Sequence, residues 1–255
     1  MASTSWLGSN GCKAQVGLLA FGIVLRVLTM AQITACHNGA SDAVCLAAQD
    51  FCNDNVFGPL AGNWDVYYVL ALNPDPYPPQ LDNYLTDPAV TSKIGSQSEW
   101  QETNLDVYDS FAATGDWTCS SSPDLERVIN EGVRTVIYVG NADYIVNFIG
   151  VEAMVRAPSP LPLVLCPPAL IMSLCAQIAS LNTKFSSLLE KQEFANFTVN
   201  GVSAGLYKNA GTFSYVRFFG AGHQVPAYEW PNVPRGAAAL QMFTQIMSNH
   251  QLSGT

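Results

Sequence analysis

Thr212-Phe213-Ser214-Tyr215-Val216-Arg217-Phe218-Phe219-Gly220-Ala221-Gly222-His223-Gln224-Val225-Pro226 sets an apolar run directly against a histidine flanked by small residues. The run reads as a strand, and the glycines after it read as the turn that ends it. His223 is thereby placed at the mouth of a strand. The chain has three histidines, His37, His223 and His250, and imidazole is the side chain whose ordinary pKa suits proton transfer near neutral pH. His37 lies in a polar stretch and His250 in the tail, and both read as solvated. The helix expected over about 235–249 has Leu240, Phe243 and Met247 at spacings of three and four. That stripe is expected to pin the histidine loop against the sheet.

A matching feature lies upstream. Val133-Arg134-Thr135-Val136-Ile137-Tyr138-Val139 reads as a buried strand running into Gly140-Asn141-Ala142-Asp143. It is fed by an amphipathic helix over Asp124–Asn130 and followed by a helix from Tyr144 to Val155. In open α/β sheets the carboxyl ends of the strands face the ligand crevice, so Asp143 and His223 can meet there. Taken alone, Asp143 reads as a helix N-cap and His223 as a structural turn residue. Together, acid then histidine is the order α/β-hydrolases use, with the acid orienting the base. The fold class is α/β.

The stretch VRTVIYVGNADYIVNFIGVEAMV, with NFTVNGVSAGLYKNAGTFSYVRFFGAGHQVPAYE after it, resembles the C-terminal part of a fungal serine carboxypeptidase. Residues Cys45 to Asn53, Asp75-Pro76-Tyr77-Pro78-Pro79 and Phe111-Ala112-Ala113-Thr114-Gly115-Asp116 are similar to that family's cap and its return to the core. The resemblance implies the C-terminal part of an α/β-hydrolase sheet with part of a helical cap, incomplete. Residues 1–40 would be an N-terminal apolar segment, 41–119 the cap-like region and 120–255 the core. It implies that Asp143 and His223 are the triad acid and base. Asn141 stands where the family usually has Asp. Gln224 stands where it often has Met or Glu beside the substrate pocket. The implied activity is hydrolysis of the C-terminal peptide bond of peptides or proteins, without a cofactor, in the secretory pathway or vacuole.

By the same resemblance, the nucleophile belongs in a Gly-Glu-Ser-Tyr-type elbow N-terminal to the cap, and the oxyanion donors lie with it. No such segment occurs here. Gly201-Val202-Ser203-Ala204-Gly205 matches the G-x-S-x-G pattern, but an elbow needs a buried strand before the serine and a helix after it. Asn196–Asn200 and the residues after Ser203 read instead as two short strands joined by a glycine turn. The chain therefore reads as a carboxypeptidase lacking its serine; the alternative is an inactive truncated relative that binds peptides or partners. Arg156 to Ala179 carries five prolines, a density that breaks helix and central strand alike. This segment reads as an insertion.

Only 12% of residues are charged against 49% hydrophobic, so the chain can bury a substantial core. A net charge of −9 repels phosphate and argues against nucleic acid. The seven cysteines, Cys12, Cys36, Cys45, Cys52, Cys119, Cys166 and Cys175, form no Cys-x-x-Cys pair and have no histidine at zinc-finger spacing, which argues against a metal. Disulfides are expected instead, with Cys36, Cys45, Cys52 and Cys119 the candidates. Asn196-Phe197-Thr198 is an N-glycosylation sequon. The apolar run Val16–Leu25 is too short to span a bilayer. Trp64, Tyr67, Tyr68, Trp100 and Trp117 are read as core filling.

Overall fold

A computed structural model describes residues 31–72, 81–155 and 180–255. The apolar run at 16–25, the Pro-rich segment 156–179, Cys12, Cys166 and Cys175 lie outside the described residues, as do residues 73–80. The framework is a four-stranded mixed sheet of β1 (Thr135–Gly140), β2 (Ala195–Val199), β3 (Val202–Ala210) and β4 (Phe213–Phe218), ordered β1-β4-β3-β2. β2, β3 and β4 form an antiparallel meander. Asn200 and Gly201 both take positive φ at the first turn, which a tight hairpin loop demands. β1 pairs parallel with β4.

β4 shows why helices cover both faces. Phe213 and Tyr215 pack into one cluster with Val139, Ile129, Val151, Met154, Leu181 and Leu189. Val216 and Phe218 pack into another with Phe197, Val225, Tyr228, Ala239 and Met242. Successive strand side chains point to opposite faces, so a strand that is apolar at nearly every position needs cover on both. One face is covered by α4 (Ser122–Asn130), α5 (Phe148–Val155) and α6 (Ser186–Lys191); the other is covered by α7 (Ala237–Met247). The region expected to be cap-like is helical, with residues 31–37, α1 (Asp42–Cys52), α2 (Pro88–Ile94) and α3 (Leu105–Ala113). Ile33, Ala48, Cys52 and Val56 form its own small core.

Several expectations are corrected. The first strand is shorter and less buried than expected: β1 begins at Thr135, so Val133 lies outside it and is exposed, and Tyr138 within it is exposed because among the described residues β1 is an edge of the sheet. The helix after Asp143 begins at Phe148, not Tyr144, and Asn147 Oδ1 caps it by accepting from Gly150 N at 2.9 Å. On α7 the large residues Leu240, Phe243 and Met247 face outward, while Ala239 and Met242 face the sheet. The inward face also carries Ile246, which packs on the same cluster. Cys36 and Cys45 form a disulfide, and Cys52 is disulfide-bonded as well. Cys119 is instead a free thiol, 3.7 Å from Cys36 Sγ. Trp64 and Tyr67 are half exposed rather than core. His37 is partly buried, whereas His250 is exposed.

The flanks of the Pro-rich segment meet. Leu181 N donates to Met154 O at 2.7 Å, and Ser180 Oγ donates to Ala153 O at 3.4 Å. Both ends of that segment thus leave from one point on the α5 side of the sheet.

Candidate active site

The register of β1 on β4 pairs Gly140 with Phe218, so the two strands end level and point the same way. Beyond them the chains stay joined. Asn141 N donates to Phe218 O and Ala142 N to Ala221 O, both at 2.9 Å, while Asn141 Oδ1 accepts from Gly220 N at 2.7 Å. Asn141, where the resembled family carries Asp, is therefore an acceptor that ties the two turns together. Glycine is required at two places here. A Cβ on Gly140 would overlap the carbonyl of Ala221, and one on Gly222 would overlap the carbonyl of Tyr67 and the Tyr228 ring.

This approach brings Asp143 Oδ2 to 3.0 Å from His223 Nδ1. The other carboxylate oxygen, Oδ1, accepts from Val146 N at 3.0 Å. Capping the following turn and holding the histidine are thus done by separate oxygens of one carboxylate. The acid is 3% exposed and the histidine side chain 33%. With Nδ1–H donated to Asp143, Nε2 carries the lone pair on the open side of the ring, and among the described residues it has no partner. The hydrogen bond that Asp143 accepts holds the imidazole pKa above its ordinary value, burial pulling the other way.

Residues 65–69, where Tyr67 and Tyr68 were expected only to fill the core, also reach the two turns. Val66 O accepts from Tyr144 N and Ile145 N, Tyr67 O accepts from His223 N, and Val69 N donates to Ala142 O. The Tyr67 ring lies 5.3 Å from the imidazole. Burial, then Asp65, pushes the Tyr67 hydroxyl pKa up. The Tyr144 hydroxyl is pushed up to about 12 by burial and donates to Phe57 O at 2.9 Å, fastening the Asp143 turn to the helical segment that follows α1.

Ser203 is not part of this arrangement. It lies on β3 just past the hairpin, and its Oγ donates to Asn196 Oδ1 at 2.6 Å. Asn196 is exposed on β2, and the middle residue of its sequon, Phe197, is fully buried.

A family model described as serine carboxypeptidase matches residues 66–249. The chain belongs to that family. Among curated serine carboxypeptidases it is 34% identical to Carboxypeptidase S1 of Penicillium janthinellum, over 86% of this chain and 46% of that protein. It is 27% identical to Carboxypeptidase Y of Komagataella phaffii, over 82% of this chain and 37% of that one. The fold is that of the prohormone-processing carboxypeptidase Kex1(delta)p of Saccharomyces cerevisiae, an α/β-hydrolase, with a TM-score of 0.53 at 14% identity, covering 93% of this chain and 52% of that one. The chain thus spans 46% or less of the length of these two curated carboxypeptidases. Among the described residues no helix is long and apolar enough to cross a membrane.

Proposed function

We propose that Asp143 and His223 are the acid and base of a serine carboxypeptidase triad acting on the C-terminal peptide bond of peptide or protein chains. The serine and the oxyanion donors would be supplied by polypeptide outside this sequence. The observation that carries the reading is the 3.0 Å bond between Asp143 Oδ2 and His223 Nδ1 at the level ends of two parallel strands. In this reading His223 Nε2 takes the serine proton as the hydroxyl attacks the carbonyl, and returns it to the leaving amino acid. Asp143 fixes the tautomer and stabilises the imidazolium. Neither residue can hydrolyse a peptide without a nucleophile, so the 255-residue chain by itself is inactive. The Cys36–Cys45 disulfide supports folding in an oxidising compartment of the secretory pathway, where Asn196 would be glycosylated before Phe197 is buried.

The test is a fluorophosphonate probe together with a blocked dipeptide. The 255-residue chain is expected to take no label and release no terminal residue. Co-expressed with the N-terminal half of the Penicillium janthinellum relative, it should support labelling of that half's serine and turnover, lost in H223Q and strongly reduced in D143N. Labelling of Ser203 in the chain alone, or turnover that survives H223Q, overturns the reading.

A further inference from the structure

We infer that the loop Asp65–Val69 is a strap that holds the acid and the base in register, and that the Asp65 carboxylate is the positioning residue beneath it. The inference rests on the acid–base reading of Asp143 and His223 above.

The need for a strap follows from the strands. Pairing of β1 with β4 fixes backbones only as far as Gly140 and Phe218. Asp143 lies three residues past the first and His223 five past the second; the bonds that join the two turns beyond the strands, from Asn141, Ala142 and Gly220, stop short of both residues. A working constellation tolerates displacements of about 0.5 Å, so the last residues of each turn need holding points of their own.

The loop reaches both turns with backbone groups alone. Val69 N donates to Ala142 O at 2.9 Å on one side of Asp143. Val66 O accepts from Tyr144 N at 3.2 Å and Ile145 N at 3.0 Å on the other. Tyr67 O accepts from the amide of His223 itself at 2.8 Å. The acid is thus gripped on both flanks and the base at its own backbone, by residues adjacent in one loop.

Asp65 in turn shapes the loop. Its Oδ1 accepts from Tyr67 N at 2.8 Å and Tyr68 N at 3.1 Å, which fixes the direction of the Val66 and Tyr67 carbonyls. The residue is 5% exposed, so a lost carboxylate would not be replaced freely by water; Tyr67 N would lose its acceptor, and Tyr68 N would keep only the Asp65 backbone carbonyl at 3.3 Å. Tyr68 anchors the loop from below with its ring 4.6 Å from that of Tyr228. The titratable groups around His223 are Asp143 on one side and Tyr67, with Asp65 behind it, on the other; Glu102 and Tyr108 act on Tyr67.

Exchange of the imidazole C2 hydrogen for deuterium, followed by peptide mass spectrometry across pH, reads the titration of His223 in the intact chain. The unaltered chain should titrate above the ordinary value. D65A should bring the midpoint back toward about 6.5. D65N, whose amide oxygen still accepts from both backbone groups, should leave it raised. M242A, a core truncation on α7, should lower the melting temperature without moving the midpoint. A D65A chain that keeps the raised titration, or an M242A chain that loses it to the same extent, overturns the inference. Where D65A fails to fold, amide exchange in the unaltered chain decides: the amides of Tyr144, Ile145 and His223 should exchange as slowly as those of β4, and exchange at open-loop rates overturns it. A D143N chain whose His223 titration does not fall overturns the acid–base reading instead.

Discussion

Replacing Glu152 by alanine should destabilise the chain more than any exposed substitution. Arg217 on β4 donates from a guanidinium NH1 to Glu152 Oε1 on α5 at 2.8 Å, and Tyr215 Oη donates to the same oxygen at 3.1 Å. The two charged side chains are 18% and 13% exposed, and Tyr215 is fully buried. The guanidinium lies 4.5 Å from the Phe148 ring centroid and 5.7 Å from that of Phe194, so it is enclosed by aromatic faces that water cannot replace. Removing one partner of a buried pair costs about 3–5 kcal/mol. The residual exposure puts E152A near the lower end, about 3 kcal/mol, or roughly 6–12 °C in melting temperature for a chain of this size. E152Q keeps an acceptor for both donors and should lose about half as much, since a bond to a neutral acceptor is about half as strong as one to a charge. The double variant E152L/R217M should be close to neutral, because an apolar pair of similar volume avoids both desolvations. Urea unfolding at constant m-value measures all three. An E152A chain within about 0.5 kcal/mol of the parent, the range of ordinary surface substitutions, would refute the assignment of this pair as structural. So would a double variant worse than E152A.

A raised His223 pKa means that the Asp143 bond adds stability fully below the ordinary value of about 6.5 and loses it as pH rises through the raised one. The stability gap between the parent and D143N should therefore narrow with rising pH; a gap that widens above neutrality contradicts the bond. F243S on the outward face of α7 should change stability by less than about 0.5 kcal/mol, whereas M242A on the inward face should cost about 2–5 kcal/mol. Equal costs would mean the helix is rotated. Cys119 should alkylate more slowly at neutral pH than an open thiol, since burial, then Asp116 and Asp42, raise its pKa; labelling at the rate of a free peptide thiol would show it open. Replacing 156–179 by a two-glycine link should preserve far-ultraviolet circular dichroism and cooperative melting, because Met154 and Leu181 are already bonded. Loss of the cooperative transition would show that the segment contributes to the core.

Much of the site could be read from the chain because it is built on strands. Alternating and continuous apolar runs announced β1 and β4, and the polar residues just past them, Asp143 and His223, are the pair that the structure brings to 3.0 Å. The strap was not legible for the opposite reason. Its work is done by the backbone groups of Val66, Tyr67 and Val69, which leave no mark in side-chain chemistry. The one available signal was Asp65 ahead of two aromatic residues, an acid placed to accept from amides two and three positions on. The orientation of α7 was illegible because large apolar residues lie on both of its faces, Met242 and Ile246 inward and Leu240, Phe243 and Met247 outward. The late start of α5 traces to Asp143, whose carboxylate caps a turn at Val146, leaving Asn147 to begin the helix.

The wide gap along the chain between the acid and the base, 80 residues, sets the order in which the molecule is made. The β2–β3–β4 meander closes through neighbours a few residues apart, Ala210 facing Phe213 at its last turn, whereas β1 must return across the whole intervening chain to lie on β4. Local pairings form first, because distant ones require loop closure before any contact repays it. The strand that leads to His223 is therefore expected to form early, on a ribbon that can assemble without Asp143, while His223 itself is fixed only once Tyr67 O and Asp143 reach it. The acid arrives with the last strand, so the distance between these two side chains is a clock for folding. Its closing marks the native state, and its opening should be the first event when the chain comes apart.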